Sequence, residues 1–206
     1  MTELEDYNNK IFDCYKDKYD HFQLGFFKDN KILFVGQNPG NPFNEQTSSD
    51  SDIVQSKKVF SKFESSYFEL IKNSKIGEFI SEVVGQDWNS ISFTNIVKIS
   101  TIDNSIPSQE LITEFFPIVI EQIKLLKPKI VVCLGKFAGE QFGLTNFYEE
   151  KLFDKTYYVM SPHPSFLAKS GITKKEVVRL KKVVLPRAFD IVNVDSVNYY
   201  SNEIII

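Results

Sequence analysis

"KPKIVVCLGKFAGEQF", Lys127 to Phe142, decides the fold. Pro128 stops the helical pattern before it, because proline lacks an amide hydrogen and its ring clashes with the preceding turn. Lys129 to Leu134 (KIVVCL) is then apolar without alternation, short and rich in β-branched residues, as expected of a strand buried on both faces. Gly135 turns the chain, and Lys136 to Phe142 reads as a helix. A buried strand that passes directly into a helix is the unit of a parallel α/β sheet.

The same grammar recurs outward from this stretch. Lys31 to Val35 (KILFV), Ile91 to Ile96 (ISFTNI) and Thr156 to Met160 (TYYVM) are the other strand candidates. Helical spacing is expected over Leu4 to Lys18, with Ile11, Phe12 and Tyr15 on one side, and over most of Asp52 to Val84. Pro107 to Leu126 reads as a long helix interrupted or kinked at Pro117. Thr173 to Leu185 reads as a basic helix. The expected architecture is three-layer α/β/α with a central, mostly parallel four-stranded sheet. One domain over residues 1–206 is expected, its core about 31–187, with a helical N-terminal extension and a C-terminal tail.

Composition narrows the class. The chain has 206 residues, 42% hydrophobic and 25% charged, which is ordinary for a soluble globular protein. No apolar run reaches the roughly 18 residues needed to span a bilayer, and MTELEDYNNK lacks the basic and apolar segments of a signal peptide. Two cysteines, Cys14 and Cys133, are too few for a disulfide scaffold or a four-thiolate metal site. A cytoplasmic protein without cofactor or metal is therefore expected. Net charge is −3 and the isoelectric point about 5.5, but His163 to Arg187 carries +6 and the remainder −9. Such a stripe can hold a phosphate backbone or can simply be a solvated helix face.

Open parallel sheets bind ligands beyond the carboxyl ends of their strands. The four ends here are GQNPG, TNIVK, GKFAG and SPHPS. Taken singly, Gly-Pro is a turn, an asparagine after a strand is a cap, and a loop histidine is a hydrogen-bonded side chain. Their convergence on one edge of one sheet is what points to a site. GQNPG lacks the three-glycine dinucleotide fingerprint, which excludes an ordinary Rossmann binder.

The order GQNPG, TNIVK, LLKPKIVVCLG and SPHPS resembles the uracil-DNA glycosylase superfamily over about two thirds of the chain, roughly Lys31 to Phe166. "PIVIEQIKLLKPKIVVCLGKFAGEQF" is most similar to the family 4 branch. The resemblance implies excision of uracil, or a related deaminated base, from DNA by hydrolysis of the N-glycosidic bond, as in base-excision repair. It assigns His163 to hydrogen bonding the uracil O2 as negative charge develops there, the kind of preorganised stabilisation that lowers the barrier most. Asn38 matches the position that handles the attacking water; many members have Asp there, whereas the mismatch-specific branch has Asn. Asparagine cannot act as a general base, so slow chemistry is expected. Gly36, Gln37 and Gly40 would line the base, Asn95 would pair with uracil O4 and N3, and Phe43 would stack on it. Ser165, Phe166, Leu167, Lys169, Lys174 and Lys175 would contact DNA, Phe166 and Leu167 as a wedge in the vacated stack.

Three departures qualify the resemblance. Family 4 has four cysteines for an iron–sulfur cluster; Phe115 stands where one would be, so no cluster is expected. Gln37-Asn38 replaces the Glu-Ala of that branch. The tail Asp190 to Ile206 has no functional reading beyond an added edge strand or a partner contact. The expected partner is DNA containing uracil or another deaminated base, with no membrane and with a monomer as the default state. Two other classes stay open: a non-catalytic nucleic-acid or modified-base binding module on this fold, and a nucleoside-processing α/β enzyme. Turnover separates the first, and weak salt dependence the second.

Overall fold

The computed structural model of the chain describes residues 2–19, 22–39, 64–85, 87–101, 105–164 and 173–193. Six strands make one sheet: β1 (Phe26–Phe27), β2 (Ile32–Gly36), β3 (Ile91–Asn95), β4 (Ile130–Leu134), β5 (Glu150–Phe153) and β6 (Thr156–Ser161), in the order β1-β3-β2-β4-β6-β5. β3, β2, β4 and β6 run parallel. β1 and β5 pair antiparallel at the two edges. The expectation of four strands is thus corrected to six. Both missed strands lie at edges, where only one side is paired: β1 has two residues, and β5 (EKLF) leaves its last three residues exposed. Neither can leave a buried apolar run in the sequence.

Every residue of β2, β3, β4 and β6 is buried. Successive strand side chains point to opposite faces, so each run feeds two cores. Ile32, Phe34, Ile130 and Val132 join one cluster, and Leu33, Val35, Val131 and Cys133 the other. The first core is covered by helices α2 (Glu64–Lys72) and α3 (Lys75–Val84) and by the basic helix near the C-terminus. The second is covered by α1 (Glu3–Tyr15), α4 (Gln109–Leu126) and α5 (Lys136–Gln141). Burying a Val, Leu, Ile or Phe side chain contributes about 1.5–3 kcal/mol, so the central strands anchor the sheet.

Helix boundaries follow local chemistry. Thr2 and Glu5 cap α1 reciprocally, Glu5 N–H donating to Thr2 Oγ1 at 3.2 Å and Thr2 N–H to Glu5 Oε2 at 2.7 Å. Ser108 caps α4, which ends at Lys127 in the left-handed region (φ 52°) just before Pro128. Of the interruption or kink expected at Pro117, the interruption does not occur: α4 runs unbroken through it. Pro117 lies on the exposed face, where solvent can satisfy the carbonyl left without a donor. The basic helix also runs further than expected. α6 (Thr173–Arg179) passes through a π-helical turn (Leu180–Val184) into α7 (Leu185–Asn193), so Asp190 to Asn193 are helix rather than tail. The remainder of the expected tail lies outside the described residues.

Among the described residues no helix is long and apolar enough to cross a membrane.

Candidate active site

The sheet register sets the site. Gly36 pairs with Asn95, Val35 with Cys133, and Leu134 with Ser161, so the carboxyl ends of four strands finish in one row. At about 4.8 Å per strand step, Asn95 and Ser161 stand roughly 14 Å apart. Two backbone bonds extend the pairing of β2 and β3 past their ends: Ile96 N–H donates to Gly36 O at 3.0 Å and Val97 N–H to Gln37 O at 2.9 Å. The first and second loops are therefore tied together.

Asn95 is only 2% exposed. Its Nδ2 donates to the Tyr67 hydroxyl at 2.6 Å. Its Oδ1 lies over Gly36, where an added Cβ would come within 2.4 Å of it. Glycine at 36 is thus required for a close approach, not for an unusual φ.

Asn38 is held from three sides. Gln37 Nε2 donates to its Oδ1 at 3.1 Å, and its Nδ2 donates to Pro39 O at 3.2 Å and to Thr101 Oγ1 at 3.1 Å. Thr101 Oγ1 donates its single hydrogen to Ser105 O at 2.8 Å, so toward Asn38 it can only accept. That fixes which end of the Asn38 amide is nitrogen. Both Nδ2 hydrogens have acceptors, while Oδ1 keeps lone-pair capacity for a water. Gln37 Nε2 lies 3.3 Å from Ser105 O as well.

His163 sits between Pro162 and Pro164 beyond β6, packed on Gly135. A Cβ on Gly135 would stand 3.0 Å from His163 Cβ, and Gly135 has φ 94°, a conformation that L side chains rarely adopt. Gly135 N–H donates to Ser161 O at 2.8 Å, which joins the β4 and β6 turns. Burial lowers the His163 pKa below its ordinary value, since the charged imidazolium loses water. A neutral imidazole carries one N–H donor and one acceptor nitrogen.

Beneath the second loop, Lys98 is fully buried, and among the described residues no carboxylate bonds its amine. Its Nζ donates to Thr94 Oγ1 at 2.5 Å and Gln122 Oε1 at 2.9 Å, and burial holds its pKa well below the usual lysine value. Gln122 Nε2 in turn donates to Asn8 Oδ1 at 2.9 Å, which ties α4 to α1. This network supports the loop that carries Thr101.

Gly36, Gln37, Asn38, Asn95 and His163 thus share one edge. Gly40, Phe43, Ser165, Phe166, Leu167 and Lys169 lie outside the described residues. Lys174 and Lys175 are in α6, with Lys175 exposed. Tyr67 and Thr101 are the polar partners that sequence reading missed; neither lies in a motif, and no local signal marks them. Lys98 left a weak one, as a charge directly after a buried run. A cleft lined by Ile32, Asp87, Ser90, Lys181 and Phe189 opens at the amino ends of the strands, away from this edge.

Among the described residues no cluster of His, Cys, Asp or Glu could hold a metal ion. A four-thiolate iron–sulfur cluster does not fit this chain. It has two cysteines, of which Cys133 is buried in β4 with its thiol pKa pushed up by burial, and Cys14 is exposed. Phe115 is fully buried among aromatic rings, with centroids 5.6 Å from Tyr15, 5.6 Å from Tyr19 and 6.1 Å from Phe22. Aromatic packing joins α1 and α4 at that place.

Comparison with known proteins agrees with the motif order. The family model described as uracil DNA glycosylase superfamily matches residues 24–182. A type-4 uracil-DNA glycosylase of Sulfurisphaera tokodaii is 26% identical over 141 residues, covering 66% of this chain and 56% of that protein. The chain thus aligns with little more than half of that curated relative's length.

Proposed function

Because the chain belongs to the uracil DNA glycosylase superfamily, we propose that it excises uracil, or a closely related deaminated base, from DNA by hydrolysing the N-glycosidic bond. The observation that carries this reading is the convergence of Asn95, Asn38 and His163 on one sheet edge, with Gly36 and Gly135 admitting the close contacts. The type-4 relative at 26% identity supports the same reaction class.

Each group has a distinct task. Asn95 offers an amide to the O4 and N3 edge of the base. As the C1′–N1 bond breaks, its electron pair leaves on the base and negative charge grows on O2. The His163 N–H, preset between two prolines, donates to that oxygen at little reorganisation cost. A water held at Asn38 Oδ1 adds to C1′ and loses its proton to solvent or the departing base. Asn38 positions this water without deprotonating it, so catalysis rests mainly on orientation and on stabilising the leaving group.

The DNA contacts rest on the motif order. Extrusion of a nucleotide costs a few kcal/mol in unpairing and unstacking. Phe166 and Leu167 would fill the gap, Phe43 would stack on the base, and Ser165, Lys169, Lys174 and Lys175 would meet phosphates. The unit acting on DNA would be one domain built on residues of the sheet and its flanking helices.

The test is alkali-induced scission of labelled oligonucleotides with one uracil, single-stranded or opposite G. Wild type should produce abasic sites, and His163→Ala should slow this about 100-fold or more, the scale of losing one oxyanion donor. Asn38→Ala should also be slow. Absence of scission with uracil, hypoxanthine and xanthine would remove the enzymatic reading, and retention of intact oligonucleotide would then indicate a binding module.

A further inference from the structure

An asparagine amide is nearly symmetric in shape but not in hydrogen bonding. With Nδ2 toward O4 and Oδ1 toward N3–H it matches uracil. Rotated by 180°, the same group offers an acceptor to the N4 amine and a donor to N3, which matches cytosine. An Asn reader therefore selects a base only if something on its far side holds the amide in one orientation.

Tyr67 occupies that far side. Its hydroxyl accepts from Asn95 Nδ2 at 2.6 Å, and the two side chains are each 2% exposed. Tyr67 stands on α2, and its ring packs against Phe93 of β3 with centroids 6.2 Å apart. The opposite end of the amide, Oδ1, lies against Gly36 near the Phe93 ring edge. A rotated amide would set its Oδ1 against the phenol oxygen, which would then have to turn its proton to donate. Burial also raises the Tyr67 pKa, so the hydroxyl is intact at any working pH.

We propose that Tyr67 is a specificity-positioning residue: it holds the Asn95 amide with Nδ2 on the α2 side, leaving one N–H for a carbonyl oxygen and Oδ1 for an N–H donor. Uracil presents that pair and cytosine inverts it. The proposal rests on Asn95 being the base reader, and it locates selectivity in a helix outside the four strand-end motifs. Tyr67 touches Asn95 rather than the reacting atoms, so its effect should fall on discrimination.

Tyr67→Phe removes one oxygen and keeps the ring. Binding of free uracil and free cytosine to wild type and Tyr67→Phe, measured by calorimetry alongside melting temperature, reads the proposal without needing turnover. Wild type should prefer uracil, and Tyr67→Phe should reduce the uracil-to-cytosine ratio about ten-fold or more while remaining folded. An unchanged ratio in a folded Tyr67→Phe protein would overturn the positioning role and leave the glycosylase reading standing. Wild type binding neither base would remove Asn95 as reader, and the proposal with it. A second measurement needs only the folded wild type: the Asn95 side-chain NH2 resonances, identified by their absence in Asn95→Asp. One hydrogen should be shielded from exchange by the phenol and the other should move when uracil is added. Two freely exchanging hydrogens would contradict the bond to Tyr67.

Discussion

Gly36→Ala tests the contact between β2 and β3 on which the base reader depends. Gly36 is an ordinary strand residue without positive φ, so the substitution brings no backbone strain. The new Cβ would fall 2.4 Å from Asn95 Oδ1 and 3.3 Å from Phe93 Cζ. A carbon–oxygen contact needs roughly 3.3 Å, so the amide has to retreat by about 1 Å. The 2.6 Å bond to Tyr67 does not survive that movement. Losing it inside the protein costs about 1–3 kcal/mol, against about 0.5–1 kcal/mol gained by replacing Gly with Ala in a strand. The expected net loss is about 0–2.5 kcal/mol, or up to several degrees in Tm for a chain of this size. In an Asn95→Ala background the obstructing oxygen is gone. There the same substitution should be neutral or slightly stabilising, with Phe93 yielding a few tenths of an ångström. Chemical denaturation of the four proteins closes a double-mutant cycle, and the expected coupling is about 1–3 kcal/mol. Additive effects would refute the reasoning, because they would mean that the Asn95 amide does not lie over Gly36.

Two pH dependences follow from buried bases. His163 has a lowered folded-state pKa, so below about pH 6.5 the unfolded chain binds the proton more readily and stability falls as pH drops toward the folded pKa. His163→Gln should reduce that fall, and equal losses between pH 7.5 and 5.5 in both proteins would contradict a buried neutral ring. Lys98 has a folded pKa well below 10.5, so the unfolded chain carries the extra proton between the two values and stability rises with pH across that window. Lys98→Met should flatten the rise, which for wild type reaches at most about 1.4 kcal/mol per pH unit; parallel stability curves from pH 7 to 9.5 would show that Lys98 stays charged in the fold.

Much of this architecture was legible because burial on both faces leaves a plain trace. KILFV, KIVVCL and TYYVM are mostly apolar, and ISFTNI interleaves its apolar residues with hydrogen-bonded Ser92, Thr94 and Asn95, because no side of those strands meets water; they became the four parallel strands. The strand ends were legible for a related reason: glycine, proline and asparagine cluster where the chain must turn sharply and approach a neighbour closely. The edge strands were not, since one-sided pairing of two to four residues demands no apolar run. That α4 would continue past Pro117 was not legible either, since the flanking turns are held by packing against the sheet.

By itself, then, the sequence determined the parallel α/β class, the family and the loops that carry Asn38, Asn95 and His163, all of which are local patterns or their order. Only the tertiary structure decided which side chains touch. Asn95 meets Tyr67 across 28 residues, Asn38 meets Thr101 across 63, and Lys98 meets Gln122 across 24. Each contact depends on strand register, in which a slip of one residue would turn every side chain to the opposite face. Register is set by the packing of two cores at once, which no single segment encodes.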